Sequence, residues 1–181
     1  MKAKIHFITG NASKFEEARL IIGTRLVQRA LSLVEPKTND QREVVLEKAR
    51  QAYNALKAPV MVDDTGIYFE AYKGFPGAAT KLVFQGIGFK GIFKLLNGEK
   101  RGAHFKTLIC YKDSKTTEVF EGVWHGRIIT RPSRSHNPEW EYNSIFIPEG
   151  FTRPLSEIPL EVRARHSHRR KALDKFVRWL K

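Results

Sequence analysis

The sequence predicts an α/β protein, a mixed sheet flanked by helices, and three observations carry that expectation. An apolar strand runs straight into a helix at the N-terminus, two alternating runs form a central hairpin, and an amphipathic basic helix closes the chain. At 181 residues the chain corresponds to ~1.2 typical domains, so one domain over residues 1–181 is expected.

The elements follow in order. Lys4 to Thr9, apolar at Ile5, Phe7 and Ile8, reads as a strand, and Gly10-Asn11 leads into a helix from about Ala12 to Ile22. A second strand is expected from Arg25 to Val34, ending at Glu35-Pro36. Asp40 can cap a long helix to about Leu56, apolar at Val45, Ala49, Ala52, Tyr53 and Leu56. Pro59 to Val62 is a short apolar strand that ends in Asp63-Asp64, and shorter helical pieces follow the turn at Gly74 to Gly77. Ala103 to Tyr111 and Thr117 to Ile129 alternate around Lys112-Asp113-Ser114-Lys115, which predicts a hairpin. Val162, Ala172, Leu173, Phe176, Val177 and Leu180 share one face of a closing helix that has Pro159 near its first turn.

Composition excludes several classes. One cysteine, Cys110, forms no internal disulfide, and no Cys/His spacing suggests structural zinc. No apolar run reaches the ~18–20 residues that span a bilayer, and the first ten residues are too short and too polar for a signal peptide. A cytoplasmic protein without membrane contact is expected. The net charge is +13, and the stretch Arg163 to Lys181 holds eight basic residues against Asp174 alone, so seven of the thirteen charges lie there. Such an excess favours polyanionic partners: nucleotides, nucleic acid or an anionic surface.

Three clusters can carry chemistry. The turn Thr9-Gly10-Asn11-Ala12-Ser13-Lys14 joins strand to helix and offers unpaired N–H groups, the positive end of the helix dipole and a lysine, which together suit a triphosphate. The same turn is also an ordinary N-cap at Asn11 or Ser13. Asp63-Asp64-Thr65-Gly66 sets two carboxylates side by side, a costly pairing that a cation relieves and that Mg²⁺ favours; as a bare pattern it is equally a turn. Glu35 could add a third carboxylate. His166-Ser167-His168-Arg169-Arg170-Lys171 places imidazoles beside an arginine fork that suits a phosphate or the carbonyl edge of a base, or simply forms a solvated face.

Other patterns point away from chemistry. Gly86-Ile87-Gly88-Phe89-Lys90-Gly91 matches a dinucleotide fingerprint, but the apolar stretch after it, Ile92 to Leu96, is under two turns, so a flexible connector is expected. Cys110 lies in an apolar strand pattern and reads as a buried, inert thiol. His104, His125 and His136 lack metal-ligand spacing.

Taken in order, the motifs resemble those of the inosine triphosphate pyrophosphatase family. Thr9, Asn11 and Lys14 are similar to its T-x-N-x-x-K loop, Asp63 to Gly66 to its acidic E/D-D-S/T-G element, and Gly74, Pro76 and Gly77 to its G-x-P-G. Arg101, Ala103 and Phe105 resemble R-x-A-x-F, Gly126 and Ile128 resemble G-x-I, Phe146 to Gly150 resembles F-x-P-E-G, and Ser167-His168-Arg169 resembles the closing S-H-R.

The resemblance implies an elongated, curved mixed sheet with two lobes around a nucleotide cleft, a homodimer, and Mg²⁺-dependent hydrolysis of ITP, dITP or XTP to the monophosphate and pyrophosphate. It implies Asp64 as metal ligand and general base, Glu35 as the other metal carboxylate, and Lys48 near the phosphates. Thr9, Gly10, Asn11, Ala12, Ser13, Lys14, Thr65, Ser167, His168 and Arg169 would line the substrate. Trp140, Glu141, Tyr142 and Asn143 stand where the family has F-G-W/Y-D, and Arg163 where it has lysine. Trp140, Tyr142, Asn143 and Arg163 would therefore meet the base, with an amide in place of a carboxylate and base selection altered or relaxed. The rival expectation, from charge alone, is a non-catalytic nucleic-acid-binding protein on the same fold.

Overall fold

The structure is a computed structural model that describes residues 3–134 and 141–181. Among the described residues, seven strands form one open sheet. Strand β1 (Ile5–Ile8) pairs in parallel with β2 (Leu26–Arg29) on one side and with β3 (Val60–Phe69) on the other. From β3 onward the pairing is antiparallel, to β5 (Gly102–Lys112), β6 (Thr117–Ile128) and β7 (Phe146–Pro148), while the two-residue β4 (Pro76–Gly77) pairs β3 beside this path. The expected mixed sheet flanked by helices is what the chain forms.

Helix α1 (Ala12–Ile22) is capped by Asn11, whose side-chain oxygen accepts from the Lys14 N–H at 3.0 Å, and stops at Gly23 with φ 84°. Helix α2 (Gln41–Leu56) is capped by Asp40, which accepts from the Arg42 N–H at 2.8 Å. Among the described residues, α2 covers one face of the sheet through Val45, Ala49 and Ala52 against Val60, Val62, Leu108 and Cys110.

The opposite face carries two separate apolar clusters, and the alternation of β3 and β5 explains the gap between them. Met61, Ile109 and Tyr111 pack with α1 and with α5 (His168–Leu180) through Ala18, Leu173 and Phe176. Ile67, Phe69, Ala103 and Phe105 pack further along with Ile92, Trp124 and Phe146. Each fully buried phenylalanine among them contributes about 1.5–3 kcal/mol. Between the clusters the same face presents Asp63, Thr65 and Thr107, a polar stripe on an otherwise apolar surface.

Four expectations are corrected. The strand expected to reach Val34 stops at Arg29, because β1 offers only four residues to pair with. Beyond it, the Gln51 side chain clamps Val34, accepting from its N–H at 2.9 Å and donating to its carbonyl at 2.8 Å, and this clamp rather than a strand end sets Glu35. Asp63-Asp64-Thr65-Gly66 is neither a turn nor a strand end: it lies inside the ten-residue β3, which pairs with β5 along its whole length. The glycine-rich segment expected as a connector is helical on both sides of a break: α3 (Thr80–Leu95) leaves helical geometry at Gly88, with φ 55° and ψ −167°. The single closing helix is two, α4 (Leu160–His166) and α5, broken at Ser167, whose ψ of 155° is extended and whose hydroxyl accepts from the Arg170 N–H at 2.9 Å.

Candidate active site

The polar stripe of β3 forms the floor of the site. Successive strand residues point to opposite faces, so Asp63 and Asp64 do not share an environment. Asp63 lies on the α1/α5 side. The Lys14 ammonium is 3.1 Å from it and Arg169 donates to Oδ2 through Nε at 3.3 Å. Burial alone would push this carboxyl up, but Lys14, Arg169 and Lys48 outweigh it and hold it at about 2. Arg169 also donates to Glu17 through Nη1 at 2.8 Å, and the Ser167 hydroxyl donates to the other Glu17 oxygen at 3.0 Å. The break at Ser167 puts His168 and Arg169 in the first turn of α5, where both are buried.

Asp64 faces the α2 side. Its Oδ2 accepts from Gln41 Nε2 at 3.0 Å, and Lys48 Nζ stands 4.0 Å from Oδ1. Lys48 also donates to Glu35 at 3.0 Å and to the Asp63 carbonyl at 3.1 Å. Burial dominates at Asp64 and lifts its carboxyl above the ordinary carboxylate range, an effect that Lys48 and Gln41 offset only in part. At Lys48 the balance is reversed: burial is outweighed by Asp64, Glu35 and Asp63, and its ammonium is held more firmly than usual.

A hydroxyl chain links the floor to α5. Thr65 Oγ1 and Thr107 Oγ1 are 2.7 Å apart, and Thr107 Oγ1 is 2.6 Å from His168 Nδ1. Burial, then Arg169 and Lys14, push the imidazole well below its ordinary value, so His168 is neutral at neutral pH. Above this chain opens a cleft lined by Ser13, Thr65, Asn143, Arg163, His168 and Arg169 among others, with Phe105, Trp124 and Leu155 as its apolar walls. Arg163 Nη1 donates to the Leu155 carbonyl at 3.3 Å, while its buried Nε and the buried Tyr142 hydroxyl have no partner among the described residues.

The first cluster keeps its N-cap geometry and stays open. Thr9 Oγ1 accepts from the Asn11 N–H at 3.1 Å, and a Cβ placed on Gly10 would meet nothing within 4 Å. Gly10, Ala12 and Ser13 are exposed, so the start of α1 remains accessible beside Lys14. The N-cap and the open turn therefore coexist.

The structure thus brings Thr9 to Lys14, Glu35, Lys48, Asp64, Thr65, Asn143, Arg163, Ser167, His168 and Arg169 to one region. Tyr142 is buried behind the wall, and Trp140 lies outside the described residues. Arg101 serves the fold, donating to the carbonyls of Leu96, Ile128 and Ile129. Three polar site residues escape the sequence reading: Glu17, which could have been found one helical turn after Lys14 on the same face, Thr107, two residues after Phe105 on the same face of its strand, and Gln41, a lone amide with no motif around it.

The donor set suits a hard divalent cation. Glu35 and Asp64 present carboxylate oxygens to one point, where an ammonium now bridges them, and Asp64 lacks enough positive charge to keep its carboxyl low. No cluster of three or more His, Cys, Asp or Glu side chains suited to a metal occurs among the described residues. Two carboxylates with substrate oxygens completing the shell is the usual Mg²⁺ arrangement.

Fold and cleft together define a mixed α/β protein that sets a helix N-terminus and buried cations against paired carboxylates. The Ham1 family model matches residues 5–179, and the chain belongs to the Ham1 family. It is 40% identical over 182 residues to the dITP/XTP pyrophosphatase of Thermococcus kodakarensis, covering 98% of this chain and 97% of that protein. It is 38% identical over 186 residues to the dITP/XTP pyrophosphatase of Hyperthermus butylicus, covering 100% and 97%. Among solved structures, a HAM1 protein from Coxiella burnetii shares the fold with a TM-score of 0.85 at 21% identity, covering 98% of each chain. The Staphylococcus aureus Ham1 protein does so with 0.83 at 22% identity, covering 98% of this chain and 97% of its own. No helix among the described residues is long and apolar enough to cross a membrane.

Proposed function

We propose that this chain hydrolyses non-canonical purine nucleoside triphosphates (dITP, XTP and ITP) at the α-phosphorus, giving the monophosphate and pyrophosphate. The observation that carries the reading is the two-sided floor at Asp63-Asp64: a cationic cradle of Lys14 and Arg169 on one side, and Glu35, Lys48 and Asp64 on the other. The names of the two archaeal relatives support the same reaction.

In this reading the open turn from Thr9 to Lys14 and the start of α1 receive the phosphate chain, with Lys48 beside it. Glu35 and Asp64 would hold Mg²⁺, which when bound neutralises phosphate charge and acidifies a water. Asp64, kept basic by burial, takes the proton from the attacking water. His168, Asn143 and Arg163 face the base. An Asn amide offers both donor and acceptor, so it suits the N1–H and O6 of a keto purine, while donor-only Arg163 favours O6 over the amine of adenine. We further propose that residues 1–181 act as one domain, in the cytoplasm and as a homodimer. Incubation with Mg²⁺ and a panel of dITP, XTP, ITP, dATP and dGTP, with products followed by ³¹P NMR, tests the reading. It requires pyrophosphate and keto-purine monophosphates, and release of inorganic phosphate alone overturns it.

A further inference from the structure

Asp64 is held by a neutral amide, and that amide is itself held. Gln41, the first residue of α2, is 2% exposed, and its side chain makes three hydrogen bonds. Nε2 donates to Asp64 Oδ2 at 3.0 Å and to the Lys106 carbonyl at 3.2 Å, and Oε1 accepts from the Tyr68 hydroxyl at 2.8 Å. Two acceptors on one side and a donor on the other fix which end of the amide faces Asp64. The Tyr68 ring is fixed in turn: it stacks on His104 at 5.0 Å and 4° between planes, and Lys106 Nζ sits 4.5 Å from its centroid.

We propose that Tyr68 and Gln41 form a positioning relay that turns the Asp64 carboxylate so that Oδ2 is engaged and Oδ1 is left for the cation and the attacking water. The inference rests on the proposed reaction and adds two residues to it. The choice of an amide has a chemical consequence. Asp63 is fixed by two cations, which hold the carboxylate still and remove its basicity together. A neutral donor fixes geometry and leaves the negative charge available to a metal. In this relay Gln41 and Tyr68 act through Asp64, the one site carboxylate that Gln41 holds.

Three variants test the relay: Gln41→Leu, which removes the amide at similar volume; Tyr68→Phe, which removes one oxygen; and the double variant. Gln41→Leu is expected to lower kcat 10–100-fold while the KM for dITP stays within about twofold. Tyr68→Phe is expected to lose about 3–10-fold, and the double variant to be no worse than Gln41→Leu, because Tyr68 acts through Gln41. Mg²⁺ binding measured by calorimetry on the free protein should weaken about tenfold in Gln41→Leu. Turnover and Mg²⁺ affinity in Gln41→Leu within twofold of wild type overturn the relay, as does a Tyr68→Phe loss that multiplies in full onto Gln41→Leu. Should Gln41→Leu not fold, Tyr68→Phe and Gln41→Met, compared with wild type in the same two measurements, carry the test. If wild-type protein releases no pyrophosphate from any triphosphate, the reaction reading falls, and the calorimetric comparison still decides the relay.

Discussion

Asp63 and Asp64, adjacent in the chain, face opposite sides of one strand, and one is held by Lys14 and Arg169 while the other is held by Gln41. Two carboxylates that would repel on a turn are separated by the pleat, and their acidities move in opposite directions.

The two aspartates should therefore fail differently. Asp64→Asn is expected to lower turnover about 10²–10⁴-fold, the range for losing a general base, with little change in folding stability. Asp63→Asn removes the charge that Lys14 and Arg169 share, leaving Arg169 its second carboxylate at Glu17, and should cost about 1–3 kcal/mol in urea unfolding. Equal stability losses in both variants would contradict the separation.

Stability should fall as the solution becomes acidic through the imidazole range. The folded-state value of His168 lies well below its ordinary 6.5, so its contribution is complete above about pH 6.5 and is lost as pH falls below it. Asp63, held at about 2 against an ordinary 3.8, adds a second loss as pH falls through that interval. Thermal melts from pH 8 to pH 5 should show a falling Tm, with a shallower slope in His168→Gln. His6 and His104, shifted in the same direction by burial, leave a residual slope. An identical slope in the variant would exclude His168 as a cause.

Helix α5 is seated on β6 at Gly122. A Cβ there would stand 1.9 Å from the His168 carbonyl oxygen and 2.6 Å from the Ala172 nitrogen, both backbone atoms. Gly122→Ala must push the start of α5 away, and with it His168 and Arg169. A raised KM for dITP and a loss of about 1–3 kcal/mol in unfolding free energy are expected. Unchanged values would mean that α5 has no fixed seat.

Arg163 offers a buried donor to the cleft, so it should matter more for the base than for the phosphates. Arg163→Met is expected to lower kcat/KM for dITP about tenfold and for dATP much less, narrowing the preference. Parallel losses on both substrates would assign it to the phosphates instead.

Much of the site was legible because its parts are local. The strand–turn–helix at Thr9 to Lys14, the capped helix carrying Lys48, and the Ser167-His168-Arg169 run each announce themselves within a few residues. What was hidden depends on distant partners. The length of β3 is set by pairing with β5, some forty residues away, which no local pattern at Asp63-Asp64 reveals. The glycines of α3 suggest a loop, and the backbone does leave helical geometry at Gly88, yet the residues on both sides of it are helical. Ser167 looks tolerable within a helix until its extended backbone is seen to cap the next one. Gln41 gains its meaning only from Asp64 and Tyr68, which approach it from another element.

The central claim, that Glu35 and Asp64 work as one carboxylate pair opposite a cationic cradle, is tested most directly by pyrophosphate release from dITP across a Mg²⁺ titration. Wild type, Glu35→Gln and Asp64→Asn are compared. The account predicts rapid release by wild type only with Mg²⁺, a higher Mg²⁺ requirement in Glu35→Gln, and almost no release by Asp64→Asn at any Mg²⁺ concentration. Wild-type rates in both variants, at the same Mg²⁺ requirement, would contradict it.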